Sequence, residues 1–336
     1  MKTRVVLRAF AVCLLFVIPS FGSASTLTCA DFLKVSTVPR IAALGEASVA
    51  ISDATWAEAN PANLPLVEGS LITFSHAAWF QDISLEMLTV GTSSGAQAFG
   101  VSLVGLHTEP LERYDTEDRY LGQFRYYDFL FGATYARAIS PSLRLGVSGK
   151  TVYEKIDWDS ATGFALDLGL AFSRSVAFLR GDLSGGLTMR NLGPRMGYFE
   201  SEYSLPLTWQ GGFAYKPAWL PKSVGALLAL DYRWAEDYGK PADDDQAILA
   251  GLELEVMNTV TLRLGNKSTV GSSGTDGVPD AGGAGGSHAT LGLGVKIRNM
   301  MLDYCYLDLG DKLGATHRVS MAFRTGSIFP SPEESK

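Results

Sequence analysis

The sequence predicts an all-β fold: a transmembrane antiparallel β-barrel of about 14 strands with an N-terminal plug segment. Three observations predict it. From Gly69 onward, apolar residues alternate with small or charged ones in segments of roughly 9–13 residues. The connections between those segments switch between tight turns and longer loops. Trp79, Trp158, Trp209, Trp219 and Trp234, five of the six tryptophans, sit at segment ends, where interfacial aromatics belong.

The chain opens with an export signal over residues 1–24. Lys2, Arg4 and Arg8 give a positive start, 9–19 is an apolar run too short to span a bilayer, and Gly22-Ser23-Ala24 is a small-residue cleavage site. Cleavage removes three basic and no acidic residues, which moves the net charge from −7 to −10. That balance argues against a nucleic-acid partner, which needs a basic face. At 46% apolar residues the chain is too hydrophobic for disorder. After residue 24 no run of about 20 apolar residues occurs, so no membrane helix is expected. Cys29 follows Thr26-Leu27-Thr28, a poor lipoprotein box because the leucine stands one position too close.

Residues 25–68 read as a periplasmic or plug segment. The stretch 45–64 does not alternate and is rich in small residues; Ala47, Ala50, Ala54, Ala57 and Ala59 would let it pack closely on an inner wall. Asn60 and Pro61 read as a helix cap with proline at the first helical position, opening a short turn over Ala62 to Leu64. Gly45, Asn60, Pro61 and Ala62 are the plug motif.

Residues 69–324 are the wall. The clearest strand is 163–172: Phe164, Leu166, Leu168, Leu170 and Phe172 share one face, and Ala165, Asp167, Gly169 and Ala171 the other. The pattern recurs over 143–153, 248–256, 260–265, 291–298 and 318–324. Strands start near 69, 83, 96, 124, 142, 162, 179, 206, 223, 246, 259, 288, 299 and 315. A soluble sandwich also alternates. Strand length, glycine on the small face and segregated loop lengths favour a barrel with apolar residues outward. Backbone groups in lipid must all be paired, so the sheet closes. The loop 266–288 is low-complexity, and 325–336 forms a tail.

The residues at this point resemble the PorV/PorQ family of outer-membrane barrels, related to the FadL group of hydrophobic-compound transporters. Arg40-Ile41-Ala42-Ala43-Leu44-Gly45 followed by Asn60-Pro61-Ala62-Asn63-Leu64 looks like the family's N-terminal motif. Arg190-Asn191-Leu192-Gly193, Leu262-Arg263-Leu264-Gly265 and Leu302-Asp303-Tyr304 extend the match along the wall. The resemblance implies an outer-membrane barrel that is either a passive channel for apolar compounds or a type IX secretion partner of exported proteins. The chain departs from the common pattern by ending in a tail instead of an aromatic residue.

Asp128, Arg144, Asp167, Glu253, Arg263, Asp303 and Arg318 have the parity of the lumen face. Their mixed signs suit ion pairs that stiffen the wall and hold the plug; a charge-selective pore would carry one sign. Leu88, Val90, Leu130, Val152, Leu227, Leu249 and Met301 are candidates for an apolar inner path or for packing on the plug. Cys305 shares the parity of Asp303, so a disulfide from Cys29 would tether plug to wall. Asp115, Glu117 and Asp118, and separately Asp243, Asp244 and Asp245, are acidic loop clusters without EF-hand spacing. The four histidines lack metal-ligand spacing, no nucleophile–base–orienter set is visible, and no metal, cofactor or enzymatic activity is expected. Lipid, an apolar ligand and an exported protein are the expected partners.

Overall fold

A computed structural model describes residues 28–53, 58–79, 82–198, 201–236, 245–270, 287–308 and 314–326. The export signal, Ala54 and Ala57 of the plug, Asp243 and Asp244, most of the 266–288 loop and all but the first two residues of the 325–336 tail lie outside the described residues.

Among the described residues eighteen strands follow in order: β1 Ser70–Ala78, β2 Ile83–Ser94, β3 Gln97–Thr108, β4 Leu111–Tyr114, β5 Tyr120–Phe124, β6 Tyr126–Ser140, β7 Leu143–Ile156, β8 Asp159–Val176, β9 Gly181–Leu192, β10 Met196–Tyr198, β11 Ser201–Tyr203, β12 Thr208–Pro217, β13 Val224–Ala235, β14 Asp245–Val256, β15 Val260–Thr269, β16 Ser287–Ile297, β17 Met300–Asp308 and β18 Ala315–Thr325. Fourteen close into one barrel in the order β1-β18-β17-β16-β15-β14-β13-β12-β9-β8-β7-β6-β3-β2. Every wall strand begins within three residues of its expected start. The other four form two hairpins, β4–β5 and β10–β11, inside long connections.

The wall is reversed relative to a water-soluble protein. In β8, Phe164 is 60% exposed and Leu166 48%, while Asp167 on the other face of the same strand is only 5% exposed. The outward row continues through Phe74, Phe99, Phe129, Leu230, Leu262 and Leu291. Hydrocarbon is the solvent that such a face suits. At one end the strands meet in tight turns. Met257 and Asn258 both adopt the left-handed region there (φ 53° and 52°), the geometry of a type I′ hairpin. The opposite end carries the long loops.

The N-terminal segment threads the lumen from the loop end to the turn end. Thr28 bridges Ser204, and the Cys29 amide donates to the Ser204 carbonyl at 3.0 Å. The chain then forms a 3-10 turn at Asp31–Lys34, a short helix α1 at Pro39–Ala43, and a 3-10 turn at Pro61–Leu66 before entering β1. The start of this segment sits at the loop end, where Ala30 and Phe32, with Leu33 and Val35, pack against Leu85, Leu106, Leu130 and Val152 of the wall.

That packing explains a parity error. Leu88 and Val90 were expected inside. Leu88 is 39% exposed, and Val90 pairs across strands with the outward Ile72 and Val101. Leu85 and Met87 face in. β2 is apolar on both faces, because its inner face covers the plug, so alternation alone leaves the register open. Leu130, Val152 and Leu249 are buried as expected.

Candidate functional site

The plug is seated by fit to glycines and by polar clasps. Asn60 is fully buried, and its Oδ1 accepts the Ala62 amide at 3.0 Å, capping the 3-10 turn. Its Nδ2 donates to the Val49 carbonyl of the plug and to the Leu170 carbonyl of β8, both at 3.0 Å. Asn63 Nδ2 donates to the Ile51 carbonyl at 2.9 Å. The wall meets this backbone with glycine. A Cβ on Gly186 would lie 1.9 Å from the Val49 oxygen, and one on Gly146 2.4 Å from the Pro61 carbonyl carbon. Gly45 adopts φ +62°, and its own Cβ would strike the Asn266 backbone at 2.5 Å.

The sequence-identified charges divide into three groups. The first joins plug to wall beside α1. Arg40 pairs with Asp53 and, at 2.8 Å, with Glu253. Arg263 donates to Glu253 at 2.7 Å and to Asp303 at 2.6 Å. The second holds the middle of the plug. Arg144 donates to Ser52 Oγ at 2.8 Å; Lys150 pairs with Asp167 at 2.7 Å, and Asp167 accepts the Asn191 amide at 2.8 Å. Asp231 of β13 accepts the Ser48 and Val49 amides at 2.7 and 3.0 Å. The third comprises Asp128, taken up below, and Arg318. Arg318 is 4% exposed beside Cys305, and its Nε and Nη1 have no hydrogen-bond partner among the described residues.

Glu58 of the plug accepts from Ser36 Oγ at 2.7 Å and from the Thr37 amide at 2.8 Å, just ahead of α1. Burial pushes its carboxyl up from the usual range, against the pull of those donors. Cys29 and Cys305 are not bonded to each other: both thiols are free. Cys29 packs with the Phe32 cluster at the loop end, and Cys305 is buried against Ala42 and Ala43 of α1. Strand parity placed Cys305 correctly on the inner face. It carried no information on where the plug, entering from the far end, puts Cys29. Burial, reinforced by Glu154 and Asp31, pushes the Cys29 thiol up to about 12.

Among the described residues the interior holds open space at both ends. At the loop end a cup of about 660 Å³ is lined by the aromatic and aliphatic faces of Tyr114, Leu121, Phe124, Ile156 and Trp158, above Cys29, Asp31 and Glu154. Two cavities of about 510 and 330 Å³ open toward the turn end, and both are lined by Arg40, Asp53, Glu253 and Glu255. The interior is thus apolar above the plug and charged below it. The cup was not found from sequence, because its walls come from the β4–β5 hairpin and the β7–β8 connection, which show no alternation. The exposed Trp158 was the one visible signal.

The wall beside the cup has a seam. Pairing between β8 and β9 stops at Leu166 and Leu192, after a register shift next to Asn191, whose φ is +62°. Above that point Ala161 to Ala165 pair with β7 alone on the barrel ladder. Met196 of β10 fills the gap; a Cβ on Gly163 would lie 2.7 Å from its sulfur. Among the described residues no group of histidine, cysteine and carboxylate ligands could hold a metal ion. Asp115 is occupied by the Glu117 and Arg119 amides and the Arg119 guanidinium.

No protein-family model and no curated protein matches the sequence. Solved structures do. The Pseudomonas putida toluene transporter TodX aligns over 89% of this chain and 98% of its own, with a TM-score of 0.60 and 10% identity. The monoaromatic hydrocarbon channel CymD aligns over 88% of this chain and 99% of its own, with a TM-score of 0.56 and 11% identity. At that identity the likeness is one of fold: a 14-stranded barrel of the kind these channels build, over nearly its full length.

Proposed function

We propose that this chain is an outer-membrane channel for the passive passage of apolar small molecules, which enter through the cup at the loop end. The cup is the observation that carries the reading. A concave space of several hundred Å³ with apolar walls and a few polar groups is what a small ligand requires, and it lies at the mouth of a barrel whose far end is charged. The shared fold with TodX and CymD supports the same reading. A straight path down the lumen crosses the plug and the Arg40–Glu253–Arg263–Asp303 cluster, where an apolar solute gains nothing. The seam above Leu166, closed by Met196, is the shorter way from the cup into hydrocarbon. Displacement of the plug is the other way.

Proteoliposomes and a fluorescent apolar aromatic test both points. Uptake no faster than in empty liposomes would sink the channel reading. A cysteine replacing Ala43, oxidised onto the neighbouring Cys305 to lock the plug, separates the routes. Uptake survives the lock if the seam is used and is lost if the plug must move.

Kinship with the PorV/PorQ family, and an exported protein as partner, form the second reading. The β4–β5 hairpin favours it, since Leu111, Tyr114, Tyr120 and Leu121 are all more than 40% exposed at the loop end. A photo-crosslinker at Tyr120 that captured no exported protein in cells would remove it.

A further inference from the structure

We infer that the cup selects apolar amines and rejects apolar carboxylates. The inference deepens the proposal above and rests on the cup being the ligand site. The walls are apolar, but the floor is acidic. Glu154 lines the cup, is 9% exposed, and accepts the Tyr126 hydroxyl at 2.7 Å. The same hydroxyl lies 2.8 Å from Asp128 Oδ2. A hydroxyl carries one proton, so it serves one of the two carboxylates at a time. Asp128 is 2% exposed, and its Oδ1 has no hydrogen-bond partner among the described residues. Two buried carboxyl groups therefore share the Tyr126 proton beneath an apolar cavity, and Glu154 takes the Ala30 amide besides.

The nearby cations are already matched. Lys34 pairs with Asp31 at 2.9 Å, and Arg113 pairs with Asp157. The Arg113 guanidinium also lies over the Trp158 ring, 4.8 Å from its centroid, so the aromatic wall accommodates positive charge. Among the described residues Glu154 and Asp128 have donors but no cationic partner. An ammonium head brings three donors and the complementary charge. A carboxylate head would stand against the buried Glu154, and like charges repel.

The test is titration calorimetry on the full mature chain in lipid nanodiscs at pH 7, with three probes of one shape: phenylbutylamine, butylbenzene and phenylbutyrate. The amine binds at least about tenfold more tightly than butylbenzene, a difference of about 1.4 kcal/mol, and phenylbutyrate binds more weakly than butylbenzene. In Glu154→Gln the ratio of amine to butylbenzene affinity falls below about threefold. Asp31→Asn removes a second carboxylate from beneath the cup and raises phenylbutyrate affinity relative to the amine. Butylbenzene binding with no preference for the amine, or with phenylbutyrate equally tight, overturns the selectivity and leaves the channel reading standing. Failure of all three probes to bind overturns both.

Discussion

Asn60 is the side chain on which seating of the plug depends most directly, and its replacement has a calculable effect. Asn60→Ala removes three hydrogen bonds: the cap on the Ala62 amide and the two donated to the Val49 and Leu170 carbonyls. At about 1 kcal/mol net for each, the loss is about 3 kcal/mol. That corresponds to about a 100-fold rise in the unseated fraction of the plug. Hydrogen exchange read by mass spectrometry on peptides spanning 58–67 measures it, with the β12–β13 hairpin as an internal control and heat-modifiable gel mobility as the check on the barrel. Asn60→Asp separates cap from clasp. It keeps the acceptor for Ala62 but loses both donations and sets a carboxylate against two carbonyl oxygens. It is expected to unseat the plug at least as much as alanine. Wild-type exchange in Asn60→Asp would mean that the cap alone matters. Unchanged exchange in Asn60→Ala would refute the clasp altogether and leave seating to the glycine contacts and ion pairs.

Four further outcomes are expected. Gly186→Ala puts a Cβ 1.9 Å from a backbone oxygen that has little room to yield, at a cost of about 1–3 kcal/mol to plug seating, and liposome swelling shows the leak; Gly197→Ala, with nothing within 4 Å, leaves it unchanged. Arg263→Met strips Asp303 of its charged partner and Glu253 of one of two, so the barrel loses about 3–5 kcal/mol in a gel-shift melting assay, and adding Asp303→Asn recovers part of it. Mature protein from an oxidising compartment shows two free thiols by mass, and a Cys29–Cys305 bridge would contradict the structure. With its thiol pushed up to about 12, Cys29 is about 10⁻⁴ thiolate at pH 8; alkylation of the folded chain therefore rises about tenfold per pH unit toward pH 11, and Glu154→Gln speeds it at any fixed pH.

Much of the wall was legible because a β-strand in lipid writes its environment into every second residue. Ala165, Asp167 and Gly169 against Leu166, Leu168 and Leu170 can be read without any neighbour. The cap at Asn60 was equally local, since Oδ1 and the Ala62 amide are two residues apart. Legibility failed where both faces of a strand were apolar, as in β2 at Leu85 to Val90, and where the chain left the strand pattern altogether, as in the hairpin that walls the cup. It failed for the cysteines because parity states which way a side chain points and not what stands opposite.

The amino-acid sequence by itself determined the strands, their inward and outward faces, the closed barrel and the presence of a small-residue segment within it. Each follows from interactions over a few residues or from the demand that lipid leaves no backbone group unpaired. Only the tertiary structure decided which end the plug enters from and which wall carbonyl Asn60 reaches. It also decided that Tyr126, Asp128 and Glu154 meet beneath one apolar cup. Those contacts join residues up to 175 positions apart, and those made to wall strands depend on the register of all fourteen.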